Sequence, residues 1–170
     1  AHKVTAHINT VTVGVPSTLP SLCLSVFCKD KEIEKQQIPL QCTNTGQTEQ
    51  LISFYISQEF FHSWSPENPF LYDVEITFGQ DHVKSYFAMR CYSIEISNEV
   101  PGKIPVFCLN HKPYFLMGVL DQGYWPDGLY TAPSEEALLY DITTMKSMGF
   151  NMLRKHIKIE CARWYYHCDR

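Results

Sequence analysis

The stretch EEALLYDITTMKSMGFNMLRKH, residues 135–156, predicts an amphipathic helix that is followed at once by a buried strand. Ser134 is suited to cap this helix, because a serine oxygen accepts a hydrogen bond from a free N–H of the first turn. Two glutamates begin the helix, where they favour the positive end of its dipole, and Gly149 stands where the residue after a helix adopts a left-handed conformation. The apolar stripe comprises Leu138, Ile142, Met145 and Met148. Residues 150–153 then begin the strand.

The segments on either side of this stretch repeat the order of strand and helix. VFCLNHKPYFLMGVLD, residues 106–121, predicts a hairpin whose second arm, Tyr114–Leu120, is an apolar run typical of a strand buried on both faces. ECARWYYHCDR, residues 160–170, begins a second amphipathic helix. Strand, helix, strand and helix predict a parallel sheet with right-handed crossovers. Two such units cannot close a barrel or cover both faces of a sheet, so residues 106–170 are predicted to be the opening of a larger α/β domain, with an exposed sheet edge.

Residues 1–98 follow a different pattern, in which short runs of alternating or β-branched apolar residues lie between polar breaks. About seven such strands predict an all-β immunoglobulin-like sandwich. A polar connection that contains Pro101, Gly102 and Pro105 follows, and residues 99–105 are therefore predicted to be a linker between two domains.

The composition argues against several classes of function. The chain has 170 residues with 14 basic and 18 acidic side chains, and its formal charge of −4 gives no general attraction to nucleic acid. No run of about 18 apolar residues predicts a membrane span. Seven cysteines without a CxxC pair predict mostly buried free thiols, so neither a metal site nor a cofactor is expected. Aromatic residues make up 14% of the chain, which suits sheet packing and sugar binding about equally.

In a parallel α/β barrel the reactive side chains lie at the C-terminal ends of the strands. The first strand ends in LDQGYWPDG, which offers Asp121, Gln122, Tyr124, Trp125 and Asp127. The second ends in RKHIK, which offers Arg154, Lys155, His156 and Lys158. Cations beside carboxylates hold them ionised, and aromatic faces stack on pyranose rings, so this mixture predicts a carbohydrate pocket. The alternative is a structural ion pair between Arg154 and Asp121, with solvated lysines at 155 and 158 and a Trp125 that only packs the loop. His167 and Trp64 are predicted to be packing residues.

Several motifs in the right order resemble glycoside hydrolase family two, the group of β-galactosidases, β-glucuronidases and β-mannosidases. WSPENPFLYDV, residues 64–74, and YFAMRCYSIE, residues 86–95, are similar to segments of its immunoglobulin-like domain. LNHKPYFLMGVLDQ, residues 109–122, resembles the entry to the first barrel strand, with His111 where glycine is common. The stretch at residues 135–156 and RWYYHCDR, residues 163–170, are similar to the barrel segments that follow.

This resemblance implies that residues 106–170 are the first βα units of an incomplete TIM (β/α)8 barrel. It also implies a retaining hydrolase of terminal β-linked sugars, with a carbohydrate substrate and the remainder of the barrel as partners. Arg154 matches the active-site arginine of the family's second strand. His156 matches a pocket histidine that often comes three residues after the arginine and here comes two after it. The two catalytic glutamates of the family belong to later strands, beyond residue 170, so no catalytic residue is assigned here and the isolated chain is expected to be inactive.

Two other classes of function stay open at this point. The sandwich can be a carbohydrate-binding or interaction module without catalytic activity, to which the α/β part is appended. It can also be a purely structural domain that orders the barrel. An Asn-Glu at the end of a later strand, together with a further glutamate, would separate the enzyme from both alternatives.

Overall fold

The computed structural model describes residues 2–14, 21–39 and 45–170. The described residues divide into two compact units. The first contains those within residues 1–63 together with Phe70–Met89, and the second contains Trp64–Pro69 and Arg90–Arg170. Cys42, which the sequence predicts to be a free thiol, lies outside the described residues.

The first unit is built from strands whose apolar residues alternate with polar ones. The strands are β1 (His2–Thr12), β2 (Ser21–Cys28), β3 (Lys31–Pro39), β4 (Gly46–Ile56), β5 (Tyr72–Phe78) and β6 (Asp81–Phe87), with a 3₁₀ turn at Gln58–Phe60. In β4 the residues Ile52, Phe54 and Ile56 are buried, whereas Leu51 and Tyr55 are exposed, because successive side chains of a strand point to opposite faces. Strands β1 and β4 pair antiparallel, and the remaining strands form a four-stranded sheet in the order β3-β2-β5-β6.

The core of this unit draws on the inner faces of both sheets. It contains Ile8, Leu22, Leu24, Val26, Cys28, Ile52, Phe54, Ile56, Tyr72 and Val74. The Tyr72 hydroxyl donates to the carbonyl of Phe60 at 2.7 Å and accepts from the His62 N–H at 2.7 Å, so the one polar atom of this buried ring is satisfied. The β-rich fold predicted for the first part of the chain is confirmed.

The second unit begins its regular structure with an antiparallel sheet in the order β7-β8-β9, formed by β7 (Tyr92–Ile96), β8 (Pro105–Leu109) and β9 (Lys112–Pro113). The segment predicted to be a linker connects two paired strands. Proline and glycine occur in turns as readily as at domain boundaries, so their presence did not distinguish the two. Asn110 and His111 join β8 to β9 with φ angles of 52° and 65°, so histidine does occupy the left-handed turn position. The domain boundaries from the sequence stay a prediction.

A parallel pair of strands and two helices complete the second unit: β10 (Gly118–Asp121), α1 (Glu135–Ser147), β11 (Met152–Lys155) and α2 (Ala162–Asp169). The predicted cap of α1 is confirmed, because the Ser134 oxygen accepts from the Ala137 N–H at 3.2 Å, and Gly149 follows the helix with a φ of 93°. One β-α-β unit with parallel strands suits the opening of an α/β barrel, and the barrel itself stays a prediction.

The predicted strand over Tyr114–Leu120, buried on both faces, is wrong. The strand begins only at Gly118, and Phe115, Leu116 and Met117 are exposed, with Phe115 at 82%. Among the described residues β10 pairs with β11 alone, so no neighbouring strand covers this apolar segment.

Candidate functional site

The predicted site residues lie at the carboxyl ends of β10 and β11, as the parallel arrangement requires. Leu120 is the partner of Arg154 in the register, and Asp121 is the partner of Lys155. Two loops continue from these ends: the first loop, residues 122–133, leads to α1, and the second loop, residues 156–161, leads to α2. Alternation along the strands separates Arg154 from Lys155, so the two neighbouring cations lie on opposite faces of the sheet.

Arg154 lies on the open face. Its side chain is exposed, Leu120 beside it is 53% exposed, and no described residue forms a hydrogen bond or ion pair with its guanidinium group. The alternative prediction of an ion pair between Arg154 and Asp121 is wrong, because Asp121 binds Lys155 instead. Arg154 therefore has five N–H donors available at the end of its strand.

The opposite face carries a buried cluster of four charges, which we call the charge cluster: Asp121, Lys155, Lys158 and Glu160. Lys155 Nζ lies 2.7 Å from Asp121 Oδ2 and 2.9 Å from Glu160 Oε1, and Lys158 Nζ lies 2.9 Å from the same Glu160 oxygen. The four side chains are only 7–16% exposed. Two ammonium groups thus neutralise two carboxylates, and the prediction of solvated lysines is wrong.

The pairing decides the charge state of this cluster. Burial opposes ionisation of Glu160, but the hydrogen bonds from Lys155 and Lys158 outweigh it and lower the pKa of the carboxyl. For Lys155, burial acts to lower the pKa, and the hydrogen bonds to Asp121 and Glu160 reverse this and raise it. Asp141 of α1 behaves differently, because burial and then the Asp121 charge raise its pKa, with Lys155 acting in the opposite direction.

Gly123 allows the two loops to approach. It has a φ of 62°, and a Cβ atom there would lie 2.9 Å from the Nζ atoms of both Lys155 and Lys158 and closer still to Glu160 Oε1. Its N–H donates to Asp121 Oδ1 at 2.8 Å, and its carbonyl accepts from Lys158 at 2.9 Å. Only glycine satisfies the backbone conformation and the space together.

His156 begins the second loop and lies beside the first. Its N–H donates to the Asp121 carbonyl at 2.9 Å, which extends the strand pairing, and its Nδ1 lies 3.2 Å from Gln122 Nε2. A Gln122 amide that donates to Nδ1 leaves the imidazole proton on Nε2, where it can donate to a ligand. Sequence reasoning noted Gln122 at this strand end without assigning it to the site, because its role depends on a side chain 34 residues further along.

Aromatic residues cover the first loop. Trp125 is half-buried, and its backbone exchanges two hydrogen bonds with Leu129, at 2.8 and 2.9 Å. Tyr124 and Tyr130 are both more than half exposed, their ring centroids are 4.6 Å apart and their hydroxyl groups are in contact. The loop therefore exposes aromatic rings to solvent, and hydrogen bonds between Trp125 and Leu129 hold its backbone in a turn.

The two predicted packing residues are buried. Trp64 is 7% exposed, and its indole N–H donates to the Asp169 carbonyl at 2.6 Å. Arg90 lies over the Trp64 ring at 4.5 Å and pairs with the Asp169 carboxylate at 2.6 Å. His167 is also 7% exposed, and its Nε2 contacts Glu135 at the start of α1. These contacts hold α2 against the rest of the second unit.

The described part of the chain contains no group of three or more His, Cys, Asp or Glu side chains that could hold a metal ion. None of its helices is both long enough and apolar enough to cross a membrane. Cys28 and Cys108 are buried, whereas Cys91 and Cys161 are exposed, so the prediction of mostly buried thiols holds only for part of the described cysteines.

The family model for glycosyl hydrolases family 2 matches residues 6–90, which are half of the chain. A β-galactosidase of Leuconostoc mesenteroides subsp. mesenteroides is 26% identical over 153 residues, 86% of this chain and 13% of that protein. A β-galactosidase of Lactococcus lactis subsp. lactis is 31% identical over 106 residues, 62% of this chain and 10% of that protein. The chain thus spans only 10–13% of the length of these curated relatives.

Solved structures share the fold. Bacteroides uniformis β-glucuronidase 2, covalently bound to cyclophellitol-6-carboxylate aziridine, has a TM-score of 0.83 at 18% identity, over 99% of this chain and 20% of that one. A GH2 β-galacturonidase from Eisenbergiella tayi bound to glycerol has a TM-score of 0.74 at 18% identity, over 98% of this chain and 28% of that one. At these identities the likeness concerns the fold alone, and the mostly β structure of the chain matches a sandwich domain of these proteins.

Proposed function

Because the chain belongs to glycosyl hydrolases family 2, we propose that it forms part of a retaining glycoside hydrolase that cleaves terminal β-linked sugars. The match of the family model over residues 6–90 is the observation that carries this proposal. The names of its two curated relatives support the substrate class, since both are β-galactosidases. The remainder of the barrel is supplied by a longer polypeptide.

Arg154 and His156 are the proposed sugar-binding residues. Arg154 offers its donors on the open face without a described partner, and His156 offers an Nε2 that none of the described side chains engages. Trp125 adds an aromatic surface on the first loop, which suits the apolar face of a pyranose ring. Asp121 contributes by shaping the site, because Lys155 and the Gly123 N–H already occupy its carboxylate.

The reacting carboxylic acids are proposed to come from elsewhere in the polypeptide. A retaining mechanism needs two carboxyl groups roughly 5 Å apart, one as nucleophile and one as acid and base. Asp121 and Glu160 are the carboxylates of the charge cluster at these strand ends, and ammonium groups hold both. A general acid needs a raised pKa, whereas the pKa of Glu160 is lowered. The 170-residue chain alone is therefore expected to be inactive.

The test is hydrolysis by the full-length polypeptide of aryl β-galactosides, β-glucuronides and β-mannosides. We expect turnover of at least one of them, and we expect Arg154→Met to lower kcat/KM by about 100-fold, because it removes charged donors from the sugar. The control is Lys84→Met, which removes an exposed cation from a strand of the first unit. No hydrolysis of any substrate would overturn the proposal, and sugar binding without turnover would favour a binding module. Turnover by the 170-residue chain would show that the expected inactivity is wrong.

A further inference from the structure

Lys158 joins the two loops directly. Its ammonium group donates to the carbonyl of Gly123 at 2.9 Å and to the carbonyl of Tyr130 at 2.5 Å, both in the first loop, and it pairs with Glu160 in its own loop at 2.9 Å. An ammonium group has three donors, and here each has one acceptor. The side chain is 10% exposed, so water does not compete freely for these bonds.

Glu160 ties this contact to the sheet. The oxygen that accepts from Lys158 also accepts from Lys155, which in turn holds Asp121 at the end of β10 and lies over the Trp164 ring at 4.6 Å. The first loop is therefore held at two points, Gly123 and Tyr130. A backbone held at two such points has little freedom to change its conformation.

The groups that face a ligand depend on these two points. Gln122 precedes Gly123 and contacts His156 Nδ1, so the position of Gly123 governs how the imidazole is oriented. Tyr130 carries the ring that lies against Tyr124. Between His156 and Lys158 stands Ile157 with a φ of 71°, a conformation that a β-branched residue adopts only when its surroundings impose it.

We propose that Lys158 and Glu160 are positioning residues that lock the first loop to the second and thereby orient His156, through Gln122, toward the bound β-glycoside. The effect of this lock on catalysis rests on the proposed function, whereas the lock itself is a property of the 170-residue chain. The two lysines of RKHIK then have one task and Arg154 another: the lysines set the geometry, and the arginine contacts the sugar.

The lock is tested first without substrate, by hydrogen exchange on the 170-residue chain. The reporters are the amides of Trp125, Leu129 and Thr131, which form the hydrogen bonds of the first loop. We expect Lys158→Met to accelerate their exchange by about tenfold or more, because the loop can then open locally. Lys84→Met is the matched control, since it breaks an ion pair in which lysine is 74% exposed. Unchanged exchange in Lys158→Met would overturn the lock.

The second test uses the full-length polypeptide and separates positioning from stability. Mispositioned binding groups raise KM, whereas a partly unfolded enzyme gives a lower apparent kcat at an unchanged KM. We expect Lys158→Met and Glu160→Gln to raise KM by about tenfold for the substrate that the wild type hydrolyses. An unchanged KM in both variants would overturn the effect on the site. A wild type without activity would overturn the proposed function and leave the exchange result to decide on the lock.

Discussion

Arg154 and Lys155 are neighbours with the same charge, but they lie on opposite faces of the β10–β11 sheet and in opposite environments. Lys155 is 9% exposed and bound to Asp121 and Glu160, whereas Arg154 is exposed with no partner among the described residues. A lysine buried between two carboxylates belongs to the framework, since its removal leaves charges uncompensated. An arginine without a partner costs the fold little and is available to a ligand. Position on the pleat, rather than residue type, therefore decides which of the two cations the fold neutralises.

Removal of the buried lysine should have the largest effect. Lys155→Met leaves Asp121 and Glu160 without their shared cation, and we expect it to lower the free energy of unfolding by about 3 to 5 kcal/mol. The measurement is urea unfolding of the 170-residue chain, followed by circular dichroism. A loss below about 1 kcal/mol would contradict the contrast between the two faces.

Gly123→Ala should have the next largest effect, because it introduces a Cβ atom among Lys155, Lys158 and Glu160 at a φ of 62°. We expect a loss of about 2 to 3 kcal/mol, which combines the left-handed backbone cost with displacement of the cluster. Gly149→Ala is the matched control: its φ is 93°, and nothing lies within 4 Å of a Cβ atom there, so only the backbone cost of about 1 kcal/mol applies. Equal losses in the same urea experiment would show that the charge cluster does not fill the space beside Gly123.

Acid should lower the stability of the folded chain progressively as its paired carboxylates are protonated. The folded-state pKa of Glu160 lies below its ordinary 4.5, so the stability it contributes is present above about pH 4.5 and is lost as the pH falls through the folded value. Glu135, whose pKa its Arg163 partner lowers to about 2, acts in the same direction. Lys155 has a raised pKa, so its contribution is present below about pH 10.5 and is lost as the pH rises through the folded value.

Thermal unfolding of the wild type and of Glu160→Gln over the acid range measures this effect. As the pH is lowered below about 4.5, we expect the Tm of the wild type to fall. We expect a shallower fall in Glu160→Gln, because only Glu135 and other carboxylates still contribute to the pH dependence in this variant. Identical slopes for the two proteins would mean that Glu160 is not paired in the folded state.

Arg154→Met should have the smallest effect on stability. The side chain is exposed and has no described partner, so we expect the free energy of unfolding to change by no more than about 0.5 kcal/mol. The urea experiment that measures Lys155→Met gives this value directly. A loss comparable with that of Lys155→Met would place both cations in the framework and would remove the reason for assigning Arg154 to a ligand.

Local signals in the sequence predicted the parts of the fold that depend on local contacts. Ser134 caps α1, Gly149 ends it in the left-handed region, and His111 occupies the hairpin turn. Each of these depends on residues within a few positions, and so the sequence pattern is sufficient. Alternation along a strand also predicts that Arg154 and Lys155 point to opposite faces.

Contacts between distant residues could not be predicted in the same way. The burial of Lys155 requires Asp121, which lies 34 residues earlier, and the burial of Lys158 requires the Gly123 carbonyl, 35 residues earlier. The pairing of β7 with β8 could not be predicted either, because the two-residue period of a strand does not identify its partner strand. The sequence therefore predicted which side chains lie at these strand ends but not which of their charges are neutralised.

Ile157 makes the second loop a place where the chain can be stabilised by design. Its side chain is 76% exposed, so its replacement removes little buried apolar surface. Its φ of 71° belongs to a region that asparagine and glycine occupy at lower cost than a β-branched residue. We therefore expect Ile157→Asn to raise the thermal stability of the chain beside the proposed sugar site, with Arg154 and His156 unchanged.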